Sequence, residues 1–297
     1  MKDSQTGATR QPNPVLIFDG GTQLPVQFRD TMSVYATEPF SLEGLSTLNT
    51  SGSHQYDETQ LQNIITRVDP NDFVIHFVDL RQESHVFING IPVSWYADDD
   101  WANVGRSLAW IEEDETLHLL RMIAARSITV GTVVKGKDGK VSMKDPVNVD
   151  VKDATTEMGL AHQLGIDYIR IPVSDHCRPT DDMVDRFVTF VHGLPANAWL
   201  HFHCHGGDGR TTTFMALYDM IRNAQNVSLD DTVARQSLIG QYHLFNGKSE
   251  EETLRAAFML RKAFITAFYS YVKEGGYATM SWTEWVKTHP TVEAAQA

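Results

Sequence analysis

Cys204 and Arg210 lie within the stretch His201 to Phe214, HFHCHGGDGRTTTF, with five residues between them. A loop of that length between a strand and a helix can curl so that its backbone N–H groups point inward. The helix N-terminus adds positive potential at the same place, and an oxyanion is the natural occupant. His205, Gly206, Gly207, Asp208 and Gly209 supply the backbone of this cradle. The three glycines remove Cβ atoms where the chain turns sharply and approaches a ligand. Arg210 can close over two phosphoryl oxygens with its planar fork. A thiol in such a field is favoured as the thiolate, and a thiolate aimed at bound phosphate is a nucleophile for phosphoryl transfer. Thr211 offers a hydroxyl to the second, hydrolytic step, and His203 is placed to orient the loop.

A leaving alkoxide needs a proton, so a general acid is expected elsewhere. Asp175, in Val173-Ser174-Asp175-His176-Cys177-Arg178-Pro179, follows an expected strand and sits in a proline-bearing loop. A turn or cap role is equally open to an aspartate in that setting.

These groups need rigid elements behind them. Within Ala198 to Asn223, Trp199, Leu200, Phe202 and their neighbours have the character of a short buried strand, and TTTFMALYDMIRN after Arg210 that of a helix. Strand, tight loop and helix in succession are the α/β signature. Phe73 to Leu80 and Tyr168 to Val173 are expected strands. Trp110 to Arg126 has helical spacing, with Leu119, Met122 and Ile123 on one face. Thr132 to Val151 has β-rich arms around Lys137-Asp138-Gly139, a hairpin signal. Ala154 to Leu164, Leu229 to Gln241 and Glu250 to Val272 are expected helices. The domain plan is a polar tail over 1–14, a core over 15–112 and 156–297, and a small β-rich insertion over 113–155.

The 297 residues, with six Trp, nine Tyr and fourteen Phe, suffice for a sizeable core. A formal charge of −13 is the reverse of what a non-specific nucleic-acid binder carries, so no nucleic-acid partner is expected. No apolar run reaches about 18 residues, so no membrane span is expected. The two cysteines, Cys177 and Cys204, exclude a disulfide-stapled scaffold and a four-cysteine zinc site. His201, His203 and His205 alternate, but His203 flanks the thiol. No metal and no other cofactor is expected.

The segment WLHFHCHGGDGRTTTF resembles the active-site region of the protein tyrosine phosphatase-like phytases, the cysteine-dependent inositol polyphosphate phosphatases. VDLRQESHVFINGIPVSWYADDDWANVG, RIPVSDHCRPT, RQSLIGQY, FYSYVKE and SWTEWVKTHP are similar to further segments of that bacterial family. Together they cover most of the chain from about Pro25 onward. The resemblance implies a tyrosine-phosphatase core with a small partial β-barrel. It implies metal-free, stepwise hydrolysis of myo-inositol hexakisphosphate through a phosphocysteine. Carried over by motif, Cys204 is the nucleophile, Arg210 binds the scissile phosphate and Asp175 is the general acid. His176 contacts substrate, and Arg29, Glu83 and Asp100 line the pocket. For these last three a surface charge or a structural ion pair is the plain alternative.

Two departures stand out. The family loop commonly reads CEAGVGR, whereas here it is CHGGDGR, which puts a titratable His205 at the rim and an Asp208 beside the anion. The family's lysine–tyrosine–lysine face on a late helix aligns with Leu254 or Arg255, then Phe258, then Arg261, and only Arg261 keeps the charge. Arg29, Arg178, Arg255, Arg261 and Lys262 are the cations available for a wide basic mouth suited to a polyphosphorylated inositol. A protein-tyrosine or phosphoinositide phosphatase is the alternative enzyme, and a phosphate-binding module without catalysis the alternative class. A monomer is expected. Met1 to Pro14 shows no signal peptide. The resemblance implies a secreted or periplasmic protein if a leader has been removed, and otherwise a cytoplasmic one or one delivered by a specialised secretion route.

Overall fold

The computed structural model describes residues 14–19, 25–32, 39–97, 100–135, 141–246 and 252–290. The 1–14 tail and the Lys137-Asp138-Gly139 turn therefore lie outside the described residues, apart from Pro14. The architecture is mixed α/β, with two sheets flanked by helices. The sheet that carries the site runs β10 (Asp167–Val173), β4 (Val74–Arg81), β11 (Ala198–His203), β3 (Thr50–Ser53), β2 (Arg29–Asp30). Its first four strands are parallel, and β2 pairs antiparallel with β3. All of β11 is buried, which is why it reads as a near-continuous apolar run.

Side chains alternate across a strand, and that period sorts β11 between two cores. Leu200, Phe202 and Cys204 fall in one core with Phe187, Phe214, Phe264 and Trp282. That core is closed by α4 (Asp181–His192), α5 (Gly209–Asn223), α6 (Leu229–Ile239), α7 (Glu252–Lys273), α8 (Gly276–Thr279) and α9 (Trp282–Thr288). Trp199 falls in the other core with Tyr56, Ile64 and Phe77, under α1 (Glu58–Val68) and α3 (Glu157–Gln163). His201 and His203 turn to that side too, each within ring contact of Tyr56.

The second sheet runs β8 (Val141–Asp150), β7 (Ser127–Lys135), β1 (Val15–Phe18), β6 (Ile91–Tyr96), β5 (His85–Ile88), β9 (Ala154–Thr155). A lone hairpin is marginal in water. The β7–β8 hairpin joins β1, so this sheet draws strands from before residue 113 as well as from 113–155. Helix α2 (Leu108–Ala125) packs Met122 and the half-buried Leu119 onto it, but Ile123 is 49% exposed and leaves the expected apolar face. Ala154–Thr155 is strand rather than helix, because it completes the edge beside β5, and α3 starts only at Glu157 behind its Thr156 cap. No described helix is long and apolar enough to cross a membrane.

Arg235 on α6 and Asp219 on α5 form an ion pair with both side chains fully buried. Arg235 Nη1 also donates to the carbonyls of Ser41 (3.0 Å) and Glu43 (2.9 Å), which pins that loop to the helices. Arg235→Leu leaves the Asp219 carboxylate in the core without its cation. The expected cost is about 3–5 kcal/mol in chemical denaturation. A loss below about 1 kcal/mol would show that Asp219 keeps adequate partners in Gln236 and Asn223.

Candidate active site

In a parallel sheet, ligands gather beyond the carboxyl ends of the strands. Here β4 ends at Arg81 and leads to Glu83, β10 ends at Val173 and leads to Asp175, and β11 ends at His203 and leads to Cys204. Three chain segments thus deliver one charged or nucleophilic group each to the same edge.

The loop from Cys204 to Gly209 curls around the sulfur. The Gly207 N–H and the Thr211 hydroxyl both donate to Cys204 Sγ at 3.2 Å, an arrangement that suits an anionic sulfur. Gly207 has φ +72°, and a Cβ there would come within 2.5 Å of the His54 nitrogen. A Cβ at Gly209 would come 2.7 Å from Arg261 Nη1. At Gly206 a Cβ meets only Asp208 Oδ2 at 3.7 Å, so geometry requires a glycine at Gly207, where the clash is with backbone, asks Arg261 to shift at Gly209, and leaves Gly206 unconstrained.

Arg210 opens α5 and is buried. Its Nη1 and Nη2 donate to the two Glu83 oxygens at 2.8 and 3.1 Å, and Nη1 also donates to the Val173 carbonyl at 3.1 Å. The resemblance implies that Glu83 lines the pocket. Instead it is fully buried behind Arg210 and accepts in addition from Arg81 Nε at 2.7 Å. Burial would raise its carboxyl, but Arg210 and Arg81 hold it well below the usual range. Asp175 Oδ1 lies 3.1 Å from Arg210 Nε, yet this buried N–H has no hydrogen-bond partner among the described residues. The guanidinium is thus gripped by Glu83 through both Nη atoms, while its Nε lies against the Asp175 carboxylate. For Asp175, too, burial works upward and Arg210 outweighs it, so the carboxyl is lowered.

His176 follows with φ +65°, its N–H donating to Asp175 Oδ1 at 3.0 Å and its ring a third exposed. Arg29 is buried beside the loop and donates to Thr212 Oγ1 at 3.1 Å. Burial lowers it to about 10, with Cys204 and Asp208 pulling the other way. Its Nε has no hydrogen-bond partner among the described residues. Asp208 caps no N–H of α5. Burial raises its carboxyl, while Gln27 and Arg29 oppose the shift.

Three further expectations are corrected. His203 does not face the loop. The strand period sends it to the opposite core, where Nε2 is 2.7 Å from Glu157 Oε1. Asp100 is 2% exposed and does not line an open pocket, because its Oδ2 is 2.7 Å from His205 Nδ1. Burial next to Glu83 pushes Asp100 up to about 6. Arg261 is fully buried rather than presented to solvent. It lies between the Tyr242 and Phe258 rings and donates to Tyr242 Oη and, at 3.4 Å, to the His176 carbonyl. Among the other cations, Arg178 is drawn away to Asp181 at 2.9 Å.

Asp19 and Arg81 escape a reading of the sequence, because nothing local marks them. Asp19 Oδ2 accepts from Arg81 Nη1 at 2.9 Å, and its Oδ1 is 3.3 Å from His205 Nε2. His205 thus sits between two carboxylates. Burial would lower its pKa, but Asp19 and Asp100 raise it well above the ordinary histidine range. Two clusters bring metal-capable atoms within 4.8 Å of one another: Asp79, His85 and Glu157, and Glu83, Asp100 and His205. In both, an arginine already holds a carboxylate, Arg170 at Asp79 and Arg210 at Glu83, so protein cations fill the role a metal would take.

Residues 78–222 match the PTPlike_phytase family model, described as inositol hexakisphosphate. A PTP-like phytase from Bdellovibrio bacteriovorus is 33% identical, with a TM-score of 0.74 over 94% of this chain and 98% of that one. The PTP-like myo-inositol phosphatase of Mitsuokella multacida, solved with myo-inositol-(1,3,4,5)-tetrakisphosphate, is also 33% identical, with a TM-score of 0.86 over 95% of this chain and 49% of that one. The effector protein hopD2 of Pseudomonas syringae pv. tomato is 29% identical over 255 residues, 83% of this chain and 53% of that protein. The chain spans about half the length of the last two.

The raised pKa of His205 has a sign that can be measured. A group raised on folding contributes stability that is full below its unfolded pKa, about 6.5, and is lost as pH rises through the folded value. The stability gap between wild type and His205→Gln should therefore be largest below about pH 6.5 and shrink as pH rises through the raised folded pKa. A gap independent of pH would mean that His205 is not held as the imidazolium.

Proposed function

The chain belongs to the family of protein tyrosine phosphatase-like phytases, and from that premise we propose that it is a cysteine-dependent phosphomonoesterase acting stepwise on myo-inositol hexakisphosphate and lower inositol polyphosphates. The observation that carries this is the convergence on one point of a sulfur fed by two donors, a guanidinium fixed by Glu83, and a carboxylate 3.1 Å from that guanidinium.

The chemistry follows from those positions. A phosphoryl group on the loop takes the inward N–H groups and the Arg210 Nε donor, displacing the Asp175 carboxylate that lies 3.1 Å from it. The Cys204 thiolate attacks phosphorus, the S–P bond forms and the P–O bond to the inositol breaks. Asp175, in the protonated form that its lowered pKa confines to acidic pH, gives its proton to the departing alkoxide. Water then attacks phosphorus, Asp175 takes the proton, the S–P bond breaks and inorganic phosphate leaves. The Thr211 hydroxyl, already donating to Sγ, stabilises the thiolate as it departs. The Mitsuokella complex with an inositol tetrakisphosphate supports the substrate class.

One observation favours a second reading, a protein-tyrosine phosphatase. Where the family places a cationic face, this chain has Phe258, in ring contact with His176 at 5.9 Å, and an Arg261 withdrawn between aromatic rings. An aromatic rim suits a phosphorylated tyrosine better than it suits a ring of phosphates.

Steady-state turnover of inositol hexakisphosphate and of a phosphotyrosine peptide separates the two. A higher kcat/KM on the inositol is expected, and a preference for the peptide would move the assignment to the second reading. In either case Cys204→Ser should fall below about one hundredth of the wild-type rate while still binding substrate. Asp175→Asn should slow inositol phosphates far more than an activated aryl phosphate and flatten the basic limb of the pH profile, since only the poor leaving group needs the proton.

A further inference from the structure

Asp175 is set by more than its own loop. Its main-chain carbonyl accepts from the Trp101 indole Nε1 at 3.0 Å. Trp101 is 7% exposed, and phosphoryl transfer has no chemical use for an indole. Its neighbour Asp100 contacts the nucleophile's side of the site, through Oδ2 at 2.7 Å from His205 Nδ1. His205 adjoins Cys204, and its carbonyl is tied to the Gln55 N–H at 3.1 Å. Two consecutive residues thus touch the segments that carry the acid and the nucleophile, one each.

The backbone here is held under strain. Asp100 has φ +66°, a left-handed conformation for a residue with a side chain, and across the indole bond His176 has φ +65°. Such conformations persist where the surroundings over-determine them, and these do. The Trp101 N–H donates to the Ala97 carbonyl at 2.8 Å. Asn103 Nδ2 donates to the Gln82 carbonyl at 3.1 Å and to Ser84 Oγ at 2.7 Å, which anchors the segment to the chain just past β4. On the acid loop, Ser174 donates to the Gln82 side chain.

We propose that Asp100 and Trp101 form a clamp that fixes the acid loop relative to the catalytic loop, with Trp101 the positioning residue for Asp175. The clamp fixes the peptide plane next to the Asp175 side chain. A general acid must lie within hydrogen-bond reach of the leaving oxygen, and a displacement of about 1 Å can cost on the order of a hundredfold. The clamp rests on the reading of Asp175 as the acid.

Trp101→Phe keeps the ring and removes the N–H. Its kcat on inositol hexakisphosphate should fall by about tenfold to a hundredfold with KM little changed. On p-nitrophenyl phosphate, whose leaving group departs without a proton, the loss should stay within about threefold, and vanadate affinity should hold because the phosphate cradle is untouched. Equal losses on both substrates, or none on either, would overturn the clamp. Asp175→Asn runs beside it. Selective loss in Asp175→Asn but not in Trp101→Phe sinks the clamp and leaves the acid in place, whereas no selectivity in Asp175→Asn removes the acid and the clamp together. Should Trp101→Phe fail to fold, Asp100→Gly decides. Glycine accepts φ +66°, and the change cuts the tie to His205. The same selective loss, smaller in size, supports the clamp, and its absence overturns it.

Discussion

A fully buried guanidinium is tolerable only if its charge is answered, and the Arg210–Glu83 fork is that answer. Two parallel bonds fix the plane of the arginine, so its front edge has one orientation toward the Cys204 loop. Glu83 is itself held by Arg81, and Arg81 by Asp19. Asp19 turns its other oxygen to His205 in the loop. The chain of alternating charges closes on the nucleophile's own segment. Every member except the partly exposed His205 is fully buried, and each of those would be costly alone. The site's geometry is therefore a property of the network.

That network explains why the sheet is arranged as it is. Arg81 and Glu83 come from the end of β4, Cys204 from the end of β11 between β4 and β3, and Asp175 from the end of β10 on the other side of β4. The parallel register places His203 at the end of β11 beside Ser53 and Asp79, and β4 runs two residues further to Arg81, beside Val173 at the end of β10. The second sheet contributes as well. Asp19 follows β1, and Ser94 on β6 donates to it at 2.9 Å. The six-stranded sheet thus supports the catalytic loop through one carboxylate.

The local part of this design is legible in the residues. Cys204, the glycines and Arg210 lie within one loop, and β11 and α5 on either side have unmistakable patterns. Asp175 is legible because it follows a strand and shares its loop with a proline. What escapes is everything set by long-range pairing. Glu83 is 127 residues from Arg210, and nothing near it says that its partner is an arginine and not a ligand. Asp100 and Arg261 carry charges typical of a binding pocket, yet they are spent on His205 and on Tyr242. His203 is the instructive case, because its place follows from local pattern alone. The period of two along β11 puts it on the opposite face from Phe202 and Cys204, and so on the Glu157 side.

The claim at the centre is that Cys204 carries the phosphoryl group during turnover. It is tested most directly by quenching the enzyme with denaturant in mid-turnover on inositol hexakisphosphate and mapping phosphate by mass spectrometry. Phosphate on the peptide containing Cys204, absent from Cys204→Ser and accumulating further when the hydrolytic step is slowed, is the expected result. A phosphoenzyme on any other residue, or turnover with no covalent phosphate at any time, would contradict it.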